Sequence, residues 1–85
     1  MAFRPDALTM DEAAAAVRGG LQALAAGEAE FDFGSLQRFD SAAVAALLAW
    51  QRAAASRGLT LRFTNRPAGL ESLARLYGVD HLLHR

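Results

Sequence analysis

The chain has no cysteine, no lysine, only two prolines and no excess of charge of either sign. Without cysteine there is no disulfide framework and no thiolate metal site. Nine basic residues against nine acidic ones leave a net charge of zero. That balance argues against nucleic acid, whose phosphates favour basic partners. It gives no reason to invoke an anionic membrane surface either. All basic residues are arginine, which with the abundant alanine reads as genomic base composition rather than binding. Long apolar runs are missing too. The longest, Ala42–Trp50, is far short of the roughly 20 residues that span a bilayer. Pro5, Asp6, Asp11 and Glu12 break up the N-terminal region, so no signal peptide is expected. These absences predict a cytoplasmic protein with no direct membrane insertion.

What is present is one domain's worth of alternating elements. Eighty-five residues make a single domain, 1–85, around one core. A core this small buries only about two-thirds of the unfolded surface, so a partner that covers more of it would stabilise the fold substantially. Phe3 to Leu8 can supply a short edge strand, limited by Pro5. Thr9 and Glu12 have the spacing of a capping box. The helix they open carries Val17, Gly20, Leu21 and Leu24 on one stripe. Its Gly19-Gly20 pair, which lacks the lysine and context of a phosphate loop, costs about 1 kcal/mol per glycine against alanine. Close packing on a sheet would offset part of that. Gly27 ends this helix.

Phe31, Phe33 and Leu36 mark the next strand and its exit. After a short loop, a second helix runs to about Ser56 and stops at Gly58. Leu59 to Thr64 alternates with period two, as a strand with one buried face does. Pro67 suits the first position of a third helix, whose stripe is Leu70, Leu73, Ala74 and Tyr77. Gly78 closes it, and Val79 to Leu83 form a short terminal segment. The predicted order is β-α-β-α-β-α: an α/β fold with a small mixed sheet covered by helices.

The second helix stands out because it is apolar on nearly every side, whereas a surface helix keeps a polar face. At about 100° per residue, Val44, Leu47, Leu48 and Ala55 point one way, as a core stripe. Ala42, Ala46, Ala49, Trp50 and Ala53 point the other way. That second set predicts a flat docking surface in which small residues admit close approach and Trp50 is the anchor. The plainer alternative is alanine chosen for helix propensity. At the helix entrance, Asp40 is placed as N-cap with Ser41 in the first turn. A phosphate on Ser41 would be tolerated by the helix dipole yet change what docks beside it.

The run Phe39-Asp40-Ser41-Ala42-Ala43-Val44-Ala45-Ala46-Leu47-Leu48 resembles the STAS domain family (sulfate transporter and anti-sigma factor antagonist). So do Arg57-Gly58 before a strand, Asn65-Arg66-Pro67 after it, and Leu73-Ala74-Arg75-Leu76-Tyr77-Gly78-Val79. The last stretch is most similar to the STAS subunit of Mla-type phospholipid ABC transporters. Ala43 stands where many members have glycine, and the N-terminal region has room for one strand where members commonly have two. The resemblance implies a STAS-like fold and a non-enzymatic accessory subunit with no cofactor. Its implied partner is a cytoplasmic ABC-transporter ATPase, which would hold it peripheral to the inner membrane. The resemblance places the contact surface at the Asp-Ser loop and the helix after it, which with the small-residue helix face gives Asp40, Ser41, Ala42, Ala46, Ala49 and Trp50 as the expected partner-binding residues. The implied alternative is an anti-sigma factor antagonist that meets an anti-sigma factor kinase and is phosphorylated on Ser41. A homodimer of the free domain is compatible with either.

The remaining candidates are weaker. His81 and His84 lie three apart, but only Asp80 is near to complete a metal set, and a frayed terminus is the expectation. Asp32 and Asp40 have no histidine or apolar pocket to tune them as a catalytic pair. Arg62 and Arg66 read as solvated strand and turn residues. Tyr77 reads as a core-edge aromatic.

Overall fold

The structure is a computed structural model and describes residues 2–84. Strand β1 (Ala7–Leu8) leads to helix α1 (Ala13–Ala25), then β2 (Glu30–Asp32), β3 (Arg38–Phe39) and helix α2 (Ala42–Ser56). Strand β4 (Arg62–Thr64), helix α3 (Ala68–Leu76) and a 3-10 turn (Asp80–Leu83) complete the chain. The α/β STAS-like architecture expected from the sequence is present. Its strand pairings among the described residues are all parallel rather than mixed: β1 with β3, and β2 with β4. Phe3 also bridges Phe31 in the parallel sense. Phe31 is therefore paired with Phe63 on one side and Phe3 on the other.

Strand β3 lies where the sequence predicts only a loop. Its pairing is recruited by the N-terminal segment, since the carbonyl of Asp6 accepts from the Gln37 N–H and that of Leu8 from the Asp40 N–H. Residues 30–39 thus run along one side of residues 3–8. Two-residue strands carry too little periodicity to be read from sequence.

Alternation on the strands assigns the two faces of the sheet. Phe31 and Phe63 point under the helices and are buried, while Glu30 and Arg62 point to solvent. Leu61 and Phe63 are buried as predicted. The helices end in the expected way. Gly27 and Gly58 have φ of 86° and 68°, a region that glycine enters without the Cβ penalty. The N–H of Glu28 returns to the Ala23 carbonyl and that of Leu59 to Ala54, which satisfies carbonyls the helix end leaves open.

The start of α1 differs from the sequence reading. Glu12 does not reach back to the Thr9 N–H. Instead Thr9 Oγ1 donates to Glu12 Oε1 at 3.0 Å, and Arg38 Nη2 donates to Glu12 Oε2 at 2.8 Å. Glu12 thus ties the entrance of α1 to β3, and the helix begins at Ala13. Along α1, Gly20 and Leu24 are buried and Val17 is half-buried, but Leu21 is exposed.

The core centres on Trp50, which is fully buried. Its ring centroid lies 5.6 Å from Phe3, 5.1 Å from Phe31, 6.3 Å from Phe33 and 6.4 Å from Phe63. The indole Nε1 donates to the Val17 carbonyl of α1 at 3.2 Å, so the one polar atom of the ring is satisfied. Gly20 makes room for it, since a Cβ on Gly20 would sit 2.3 Å from Trp50 Nε1. Gly20 thus admits an aromatic ring from α2, while Gly19 lies against Phe3, which bridges Phe31 of the sheet as close packing on a sheet predicts.

Two parts of the chain's C-terminal third also depart from expectation. Tyr77 is 52% exposed, and Leu70 and Ala74 alone bury α3 fully. The terminal segment is not frayed. Leu82 and Leu83 are buried, and buried Gln51 donates from Nε2 to the Leu82 carbonyl at 2.7 Å.

Glycine-to-alanine in a helix interior normally stabilises by about 1 kcal/mol. At Gly20 the sign reverses. Gly20→Ala is expected to destabilise by about 1–3 kcal/mol through overpacking, lowering the melting temperature by about 4–8 °C per kcal/mol. A thermal melt by circular dichroism reads this, and a raised midpoint would contradict the notch.

Candidate docking site at the entrance to the second helix

Because the strands are parallel, their C-terminal ends gather the turns Thr9–Met10, Asp32–Gly34, Asp40–Ser41 and Asn65. In open parallel α/β sheets this is the rim where ligands and partners bind. Asp40 is the organising residue. Its Oδ1 accepts from the Ala42 N–H at 2.8 Å, the N-cap bond that the sequence predicts. Its Oδ2 accepts from the Met10 N–H at 3.0 Å. One carboxylate thus fixes the loop after β1 against the first turn of α2. Ser41 has helical backbone angles (φ −61°, ψ −18°) and is exposed.

Asp32 does for the next loop what Asp40 does here. Its Oδ1 accepts from Asn65 Nδ2 at 3.0 Å and from the Gly34 N–H at 2.8 Å, and its Oδ2 lies 3.3 Å from Arg4 Nε. The Asn65 hydrogen bond, followed by that of Gly34, holds the Asp32 carboxyl below its usual range. Glu12 is lowered in the same way, chiefly by the Arg38 hydrogen bond and then by Thr9. Asp32 thus spends its contacts on holding its own loop and Arg4.

The structure divides the six predicted partner-binding residues. Asp40 and Ser41 are exposed, and Ala42 and Ala49 are half-buried. Ala46 and Trp50 are buried and cannot meet a partner. The reason is the phase of the helix. The core arc is Ala43, Ala46, Leu47, Trp50, Gln51 and Ala54, because the notch at Gly20 draws the indole inward. The face opposite Trp50 is therefore the outward one. It runs Ser41, Val44/Ala45, Leu48, Arg52 and Ala55, with Ser41, Ala45, Arg52 and Ala55 exposed and Val44 and Leu48 half-buried. Of the stripe predicted for the core, only Leu47 is fully buried. Ala43 is buried, so the methyl that replaces the family's common glycine packs inward.

Met10 was missed by sequence reasoning. It is 75% exposed, and its backbone is held by Asp40 at the same corner. An apolar residue between Thr9 and Asp11 in a turn was the available signal. Leu76, 79% exposed on α3, was also missed, being hidden in a stretch valued only for its resemblance. Among the described residues no group of three or more His, Cys, Asp or Glu could hold a metal. His84 instead pairs through Nε2 with Glu71 Oε1 at 2.8 Å.

Three helices packed on small parallel sheets are consistent with an α/β STAS-like fold. The chain matches the family model described as "Mlab, STAS domain" over residues 6–84 and belongs to that family. No curated protein and no solved structure is similar enough to match it. STAS-domain proteins are in general non-enzymatic regulators or accessory proteins. No helix among the described residues is long and apolar enough to cross a membrane.

The lowered carboxyl of Asp32 makes acid stability a direct readout of this rim. A group whose folded value lies below its unfolded value stabilises the fold above the unfolded value, near about 4 for aspartate. That contribution is lost as pH falls through this point toward the folded value. Melting temperatures measured from pH 6 to about pH 3 should therefore fall less steeply for Asp32→Asn than for the wild type. Parallel slopes would show that the Asn65 and Gly34 contacts are absent in solution.

Proposed function

We propose that the chain is a non-enzymatic accessory subunit that docks on the cytoplasmic ATPase of an inner-membrane, Mla-type phospholipid ABC transporter and stabilises it. The observation that carries this reading is the match to the Mlab STAS family over nearly the whole chain. The geometry supplies a suitable surface. Asp40 spends both carboxylate oxygens on the Ala42 and Met10 N–H groups, so the corner is rigid before a partner arrives and little ordering entropy is lost on docking. From Ser41 the outward face of α2 continues through Val44, Ala45 and Leu48 to Arg52. Small and apolar residues at its centre and a guanidinium at its end match the usual anatomy of an interface, apolar within and polar at the rim. Trp50 belongs to the core and has no part in this surface. The ATPase would stabilise the domain by covering Val44, Leu48 and Met10, which the small fold leaves partly wet.

Ala45→Arg, on the exposed face, is expected to leave the melting temperature within a few degrees of wild type while weakening co-purification with the ATPase at least tenfold, about 1.4 kcal/mol. Ala14→Arg, exposed on α1, should bind normally. Equal binding by Ala45→Arg and wild type would remove this face from the interface.

The exposure of Ser41 in the first turn of α2 favours one second reading, an anti-sigma factor antagonist switched by phosphorylation. Intact-mass measurement after incubation with the kinase partner and ATP would then show one phosphate, absent in Ser41→Ala. An unmodified wild-type chain under those conditions leaves the transporter reading.

A further inference from the structure

We infer that Arg66 keeps the free edge of β4 closed to a second copy of this chain. Among the described residues β4 pairs only with β2, which leaves its other edge free. The Arg62 N–H donates to the Ala29 carbonyl, and the Thr64 carbonyl accepts from the Phe33 N–H, so positions 62 and 64 direct their backbone groups at β2. Position 63 must then direct its N–H and C=O away from β2. An outward pair of this kind is a template for another strand.

That template is self-complementary. Two copies pairing antiparallel about Phe63 would exchange both hydrogen bonds between the two Phe63 residues, the closely bonded pair of an antiparallel ladder. Arg62 would lie opposite Thr64 of the second copy, so no like charges would meet. Nothing in the sequence of β4 itself opposes this pairing.

Arg66 is what opposes it. Its Nη1 donates to the Phe63 carbonyl at 2.7 Å and lies 3.4 Å from the Leu83 carbonyl, while its Nε donates to Glu71 Oε1 at 3.2 Å. Glu71 in turn holds His84. One guanidinium therefore occupies the acceptor that an incoming strand needs and pins the C-terminal turn beside the same edge. Phe63, Glu71, Leu83 and His84 line the groove of about 490 Å³ that results. The guanidinium is half-buried, not the solvated turn residue expected from sequence, and its planar fork is what lets it reach both carbonyls and the carboxylate at once.

The test is sedimentation or light scattering over rising protein concentration. The wild type should stay at its monomer mass of 9.1 kDa. Arg66→Ala should double in apparent mass with concentration while keeping its far-UV spectrum, and its Phe63 amide should become protected from hydrogen exchange. His84→Ala, which loosens only the turn, should stay monomeric. If Arg66→Ala does not fold, Arg66→Lys is measured instead, because one ammonium cannot reproduce the fork, and the same doubling is expected. A folded Arg66 variant that stays monomeric, or that associates without protecting Phe63, overturns the inference.

Discussion

The rest of the structure depends on one contact, the seating of Trp50 against Gly20. A helix interior loses stability at each glycine, and α1 has two in a row. The second is compensated because it lets an indole approach the α1 backbone and give its N–H to the Val17 carbonyl. The ring then reaches Phe3, Phe31, Phe33 and Phe63, which come from three separate stretches of chain. Edge-on aromatic pairs, such as Trp50 makes with Phe3 and Phe31, add about 0.5–1.5 kcal/mol each beyond the area they bury. Against a total stability of about 4–13 kcal/mol for a chain of this length, the cluster is a large share. It also joins α1, α2 and the sheet in one step.

The same contact decides which surface is left for function. Turning Trp50 inward turns Ser41, Ala45 and Arg52 outward, on the side of α2 that begins at the Asp40 corner. The apolar excess of this helix thus has two destinations. Most of it fills the core, and a smaller part, Val44 and Leu48, stays half-buried. The proposed docking surface is accordingly smaller and less aromatic than a wheel of the isolated helix suggests. Its rigidity comes from Asp40, whose carboxylate links two loops.

Much of this was legible in the sequence. The α/β order, the three helix stops, the alternation into Phe63 and the Asp40 cap all follow from local rules, and the structure contains them. The phase of α2 did not follow, because a helix apolar all round has no polar face to fix its rotation. The deciding residue, Gly20, lies in another helix. Arg66 and Glu12 were misread for a related reason: their roles rest on partners at positions 63, 71 and 83, and at position 38. Composition and spacing report a residue's own preferences. They do not report a notch, a carbonyl or a guanidinium supplied from elsewhere in the chain.

The single tryptophan makes the central claim directly measurable. Emission of the folded wild-type protein, titrated with acrylamide, reports whether the indole is enclosed. An enclosed Trp50 gives blue-shifted emission that acrylamide barely quenches until the chain is unfolded. Red-shifted emission, quenched in the native state as readily as in denaturant, would place Trp50 at the surface and return it to the docking face.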